Sequence, residues 1–345
     1  MDVINTALND ALFRTVVLSV AAFGIAMLLT PLYTFVAYRY KFWKRQRTES
    51  TTGETLKVFT KLHADKFKRN IPTMAGMVFV LAIVIVTFFL NLDRKETWLP
   101  LAALAGGAFV GLIDDIINIR GGGKGVAGLR SQLKFLMIAG IGAILGWYFF
   151  SKLGVSAVHV PFIGNLELGW FIVPLFAFVV VATGNAVNIS DGLDGLAGGL
   201  SAIAFGAFGI IALMQGNGLL AAFCFTVVGA LLSYLWFNIY PARFFMGDVG
   251  SFALGTSLGV VAMLTNSIFI LPIIGLVFVI EAGSSLIQIF SKKVFKKKVF
   301  ISAPIHHHLE AKGWPETKVT MRFWVIAAVV SFIGVMIAIA GGVTA

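Results

Sequence analysis

Ten apolar stretches, each long enough to cross a bilayer as an α-helix, run through this chain almost without interruption. They cover approximately residues 12–36, 72–90, 98–118, 131–150, 168–188, 195–214, 218–238, 249–266, 268–290 and 322–342. Inside hydrocarbon there is no water to bond the backbone, so such spans fold as helices that satisfy their own N–H and C=O groups. The predicted class is an all-α polytopic membrane protein of about ten transmembrane helices, one integral membrane domain over 1–345. Only 12% of the residues are charged, about half the share in soluble domains, which excludes a soluble enzyme. The opening Met-Asp-Val-Ile-Asn is acidic and no small-residue cleavage site follows, so the first span reads as a retained helix. The single cysteine, Cys224, lies in an apolar stretch and reads as a buried structural thiol.

Ten spans place both termini on one side. The connections on the opposite side, 37–71, 119–134, 239–248 and 291–322, hold 23 of the 27 lysines and arginines. The positive-inside rule makes that side cytoplasmic and both termini external. Topology and anionic headgroups account for the net charge of +11, so no nucleic acid is implied. The run from Ser291 to Lys298 mixes lysines with Val294 and Phe295 and suits an interfacial segment on membrane lipids, or one that attracts an anionic substrate. On the outer side, residues 155–168 are rich in β-formers, and Gly164-Asn165 signals a turn, so a small β-hairpin is expected there. The run Gly123-Lys124-Gly125-Val126-Ala127-Gly128 fits a dinucleotide pattern, but membrane helices flank it and no strand precedes it, so it reads as a flexible loop.

Five aspartates, Asp114, Asp115, Asp191, Asp194 and Asp248, lie at span ends on the cytoplasmic side. A carboxylate near hydrocarbon costs roughly 3 kcal/mol or more, so five of them imply use: a divalent cation, a proton relay or an ion path. In Asn188-Ile189-Ser190-Asp191-Gly192-Leu193-Asp194 two carboxylates and an amide supply oxygen ligands of the kind Mg2+ takes beside phosphates and water. Asp114 and Asp115 point about 100° apart on a helix, so the two should not make the same contact. Asp248 opens a helix after Asn238 to Gly247. The triplet His306-His307-His308 lacks the spacing of a tetrahedral zinc site; Pro304 before it suits the start of a short helix. Together these groups suggest metal-assisted chemistry on phosphates at the cytoplasmic membrane surface, without naming a substrate.

The segments Asn185 to Ala197, Phe237 to Ser251 and Pro304 to Glu310 carry a more specific signal. Through them the chain resembles the polyprenyl-phosphate N-acetylhexosamine-1-phosphate transferases, and its His triplet resembles the branch that acts on UDP-N-acetylmuramoyl-pentapeptide. The resemblance implies a bacterial inner-membrane enzyme with ten helices, an outer hairpin, a cytoplasmic catalytic cleft and a homodimeric assembly. It implies transfer of phospho-N-acetylmuramoyl-pentapeptide from UDP to undecaprenyl phosphate, with Mg2+, giving the lipid-linked sugar pyrophosphate of peptidoglycan synthesis and UMP.

Position by position, the resemblance makes Asp248 the principal metal ligand, with Asp191 a second. It assigns Asp114 and Asp115 to the lipid phosphate, Asp114 as base. It puts Asn188, Asp191, Asp194, Asn238 and Phe245 on the nucleotide and pyrophosphate side, and Gln288, His306, His307 and His308 near the sugar-peptide and phosphates, His307 among the catalytic groups. Lys68, Thr73 and Lys134 match substrate-binding positions. Two departures stand out. The family's Thr-Pro-Thr-Met-Gly-Gly reads Ile71-Pro72-Thr73-Met74-Ala75-Gly76, and its Lys-Gly-Leu reads Ala127-Gly128-Leu129. Direct transfer and a covalent phosphoryl-enzyme both fit the sequence. The same chemistry on UDP-N-acetylglucosamine is the nearer alternative, which the His triplet disfavours. An ion-coupled transporter is the distant one, disfavoured because transporters hold such groups near the bilayer midplane.

Overall fold

A computed structural model describes residues 2–43, 70–120 and 128–343. Lys68 and most of the glycine-rich run (residues 123–127) lie outside the described residues. The chain is mostly helical: α1 (Asp2–Arg39), α2 (Gly76–Leu90), α3 (Trp98–Arg120), α4 (Ser131–Ser151), α5 (Ile172–Ser190), α6 (Leu196–Met214), α7 (Gly218–Asn238), α8 (Gly247–Leu264), α9 (Leu271–Ile274), α10 (Leu276–Phe295), α11 (Ile305–Ala311) and α12 (Glu316–Ala340). Among the described residues, eight helices are long and apolar enough to cross a membrane. They match eight of the ten expected spans.

The other two expected spans differ for local reasons. The 72–90 stretch becomes helical only at Gly76, because the backbone before it pairs elsewhere: Phe245 N–H donates to the Pro72 carbonyl at 2.8 Å, and Ala75 N–H to the Phe245 carbonyl at 3.0 Å. The 268–290 stretch is two helices, α9 and α10, interrupted at Gly275, and α10 carries Glu281, Lys292 and Lys293.

Helix α8 is the buried axis of the bundle, packed between α3 and α5. Small residues permit that approach: a Cβ on Gly111 of α3 would run into the backbone carbonyl of Asp248. Hydroxyls bond across the same seam, Thr256 to the Ala103 carbonyl at 2.8 Å and Ser257 to that of Pro100 at 3.0 Å. Close backbones and interhelical hydroxyl bonds are how helices associate where lipid is as apolar as the side chains.

The hairpin is present. Strand β1 (Ala157–Val160) pairs antiparallel with β2 (Gly164–Glu167), Ala157 opposite Glu167 and Val160 opposite Gly164. Its turn lies at residues 161–163, one step before the expected Gly164-Asn165, which already belong to β2. His159 fastens the hairpin to the end of α12 through its ring Nε2 and the Gly341 carbonyl, 2.8 Å apart. It follows α4 and precedes α5, at the end of the bundle opposite Asp114, Asp191 and Asp248.

Candidate active site

Helices α3, α5, α7 and α10 end, and α8 and α12 begin, at one end of the bundle, so residues far apart in sequence meet there. At its centre is a cation between two acids. Lys134, in the first turn of α4, holds its Nζ 3.0 Å from Asp114 Oδ2 and 2.9 Å from Asp248 Oδ2. Asp114 is almost fully buried, and its other oxygen accepts the Leu129 N–H at 2.6 Å. The lysine thus neutralises part of a charge pair that burial would otherwise forbid.

Asp115, one residue on, does something different, as the helix geometry anticipates. Fully buried, it accepts the Val249 N–H at 3.0 Å and so sits against the first turn of α8. A carboxylate there compensates unpaired N–H groups and the positive end of the helix dipole. Thr73 is buried beside it: its N–H donates to the Phe42 carbonyl, and its own carbonyl accepts the Tyr33 hydroxyl at 2.6 Å. One turn into α8, Ser251 Oγ accepts from Asn188 Nδ2 at 2.8 Å, which brings the end of α5 to the same place.

The loop from Asp191 to Gly195 is fixed from behind. The Asp194 N–H donates to Glu316 Oε1 at 2.6 Å, its Oδ2 accepts the Ala242 N–H at 3.0 Å, and its carbonyl accepts the Thr320 hydroxyl at 3.3 Å. Asn238 accepts the Gly195 N–H and donates to the Phe244 carbonyl, each at 2.9 Å. Asp194 and Asn238 therefore staple three chain segments together. Asp191 caps α5 and is half-buried, and Phe245 is half-buried beside the Pro72 strand segment.

The His triplet occupies the short helix α11, with Pro304 immediately before its start as expected. His306 Nδ1 lies 2.7 Å from Glu281 Oε2, and His307 Nδ1 lies 2.7 Å from Glu310 Oε2. His308 Nδ1 accepts the Ile301 N–H at 3.1 Å, and burial, helped by the Lys312 ammonium, pushes its pKa below the ordinary value. Gln288 bonds through both ends of its amide to the backbone of Val299 and Phe300. Sequence reasoning missed Glu281, Glu316, Ser251 and Tyr33. For Glu281 the signal was available: an ionisable residue inside an apolar stretch is rare and used.

No group of three His, Cys, Asp or Glu side chains converges in ligand geometry among the described residues. That donor set still fits Mg2+, which takes one or two protein carboxylates and fills its octahedron with water and phosphate oxygens. Asp114 and Asp248 offer such oxygens around one point, now held by the lysine ammonium.

Residues 97–266 match the model of glycosyl transferase family 4. Over 99% of its length the chain is 37% identical to a phospho-N-acetylmuramoyl-pentapeptide-transferase of Chloroflexus aurantiacus, covering 94% of that protein. It is 39% identical to the Geobacillus enzyme of the same name and 35% to that of Clostridium perfringens, covering 96% and 98% of them.

Proposed function

The chain belongs to the phospho-N-acetylmuramoyl-pentapeptide-transferase family, within glycosyl transferase family 4, and from that premise we propose how this site carries out the transfer. The substrates are UDP-N-acetylmuramoyl-pentapeptide and undecaprenyl phosphate. An oxygen of the lipid phosphate attacks the β-phosphorus of the UDP-sugar, the bond between the β-phosphorus and the bridging oxygen breaks, and UMP leaves with that oxygen. One phosphoanhydride replaces another, so the exchange is close to thermoneutral and reversible. The product is the first lipid-linked intermediate of peptidoglycan synthesis.

The observation that carries this reading is the buried Asp114–Lys134–Asp248 cluster at one end of the bundle. Asp114 receives a backbone N–H on one oxygen and the ammonium on the other. A carboxylate pinned at both ends is suited to orienting the lipid phosphate and accepting its proton, and poorly suited to leaving its place as a nucleophile, which favours direct transfer. Lys134 offers the pyrophosphate a positive partner. Mg2+, held by Asp248 with Asp114 or Asp191, would neutralise the pyrophosphate and the departing UMP. Buried, preoriented charges of this kind act with little reorganisation, which is where most electrostatic catalysis originates. The lysine-rich connections support a cluster on the cytoplasmic side, with both termini outside, where they would raise the local concentration of both anionic substrates. A homodimer is part of the same proposal.

Purified protein given undecaprenyl phosphate, Mg2+ and each UDP-sugar in turn should release UMP with the muramoyl-pentapeptide conjugate and not with UDP-N-acetylglucosamine. Folded protein that releases none sinks the reading. A phospho-sugar trapped on the protein without lipid defeats direct transfer.

A further inference from the structure

Glu281 has no role in the chemistry above, yet it is fully buried within α10. Its carboxylate faces His306 Nδ1 at 2.7 Å. His306 is itself fully buried. A side chain with no exposed surface acts from behind a site. What it backs is the Asp191–Asp194 loop: a Cβ built on Gly192 would collide with the His306 Nε2. With Nδ1–H given to the carboxylate, Nε2 is the nitrogen turned to the loop.

A hydrophobic side chain would fill the Glu281 position without the desolvation that a buried carboxylate carries. Its retention calls for an orienting duty. We propose that Glu281 is a positioning residue for the nucleotide side of the site: it fixes the ring orientation and tautomer of His306, and His306 seats the Asp191–Asp194 loop through Gly192. The proposal rests on the functional reading above for what the loop binds. The loop is then clamped from two directions, by Glu281 through His306 at Gly192 and by Glu316 at the Asp194 N–H.

The test is a double-mutant cycle on Glu281→Gln and His306→Ala in the full-length protein. It reads the KM for each substrate, UMP binding by calorimetry and the melting temperature in detergent. Glu281→Gln should raise the KM for the UDP-sugar and weaken UMP binding by about tenfold, leave the KM for undecaprenyl phosphate unchanged, and add nothing in the His306→Ala background. Equal losses for both substrates, additive effects or wild-type UMP binding overturn the proposal. Should Glu281→Gln not assemble, His306→Asn decides: its amide keeps the bond to Glu281 but does not reach Gly192, so UMP binding must still weaken. Wild-type protein that neither binds nor releases UMP indicts the functional reading instead.

Discussion

Replacing Lys134 with methionine removes a cation that Asp114 and Asp248 share, and its consequence follows from the geometry. Each carboxylate lies about 3 Å from the ammonium. At an effective dielectric of about 20 each contact attracts by roughly 5 kcal/mol before desolvation is counted. Removing one partner of a buried pair costs about 3–5 kcal/mol, because the other charge stays buried. Lys134 is 16% exposed, which points to the lower end, about 3 kcal/mol. At roughly 2 °C per kcal/mol the variant should melt about 6 °C below wild type in EDTA. The vacated point between two carboxylates is also where a divalent cation would sit. Mg2+ at a hundred times its Kd returns about 2.7 kcal/mol, nearly the whole deficit. In wild type the ion must displace the lysine, so the gain is smaller. The assay is fluorescence-detected size-exclusion melting over a Mg2+ titration, with EDTA as zero. Identical melting in EDTA, or a Mg2+ shift no larger than wild type's, refutes the argument that lysine and metal compete for one place.

Gly111→Val should separate α3 from α8, since the new side chain meets the Asp248 carbonyl; overpacking of this kind costs about 1–3 kcal/mol, read as lower yield and melting temperature. Glu316→Ala leaves the Asp194 N–H without its 2.6 Å acceptor, a loss of about 1–3 kcal/mol, and should raise the KM for the UDP-sugar more than that for the lipid. His308 tests a pH dependence. Because its folded pKa lies below the ordinary 6.5, the unfolded chain binds more protons between the two values. Its contribution to stability is full above 6.5 and is lost as the pH falls through the folded pKa. His308→Gln, which keeps an acceptor for the Ile301 N–H, should lose less melting temperature between pH 7.5 and 5.5 than wild type does.

The helical class, the hairpin and the gathering of carboxylates at one end were legible because each depends on local pattern: apolar length, β-branched content, charge at span edges. The late start of α2 was not, because it follows from pairing with the distant backbone of Phe245. The roles of Asp194, Asn238 and Gln288 were hidden for the same reason. Their polar groups meet N–H and C=O groups of other segments, as in Asp194 with Ala242 or Gln288 with Val299 and Phe300, and no spacing in the sequence encodes such a partner. Glu281 is the opposite case: the residue was in plain view inside an apolar run, but only the fold supplies its partner, His306, 25 residues further along the chain.

How each buried carboxylate is compensated divides the aspartates by what they are able to do. Asp115 and Asp194 accept backbone N–H groups from Val249 and Ala242, partners that move only if a helix start or loop moves. Asp114 keeps one oxygen on the Leu129 N–H, but its other oxygen and Asp248 share the tip of a flexible lysine, a partner that can be exchanged for a metal or drawn to a phosphate. Charge rearrangement during phosphoryl transfer needs the second kind of partner, and a rigid frame needs the first. Loss of activity in an alanine variant of Asp115 or Asp194 therefore does not establish contact with substrate, since either change also removes the compensation that holds α8 or the Asp191–Gly195 loop in place. Loss in Asp114 or Asp248 variants that keep the wild-type melting temperature bears on the chemistry itself.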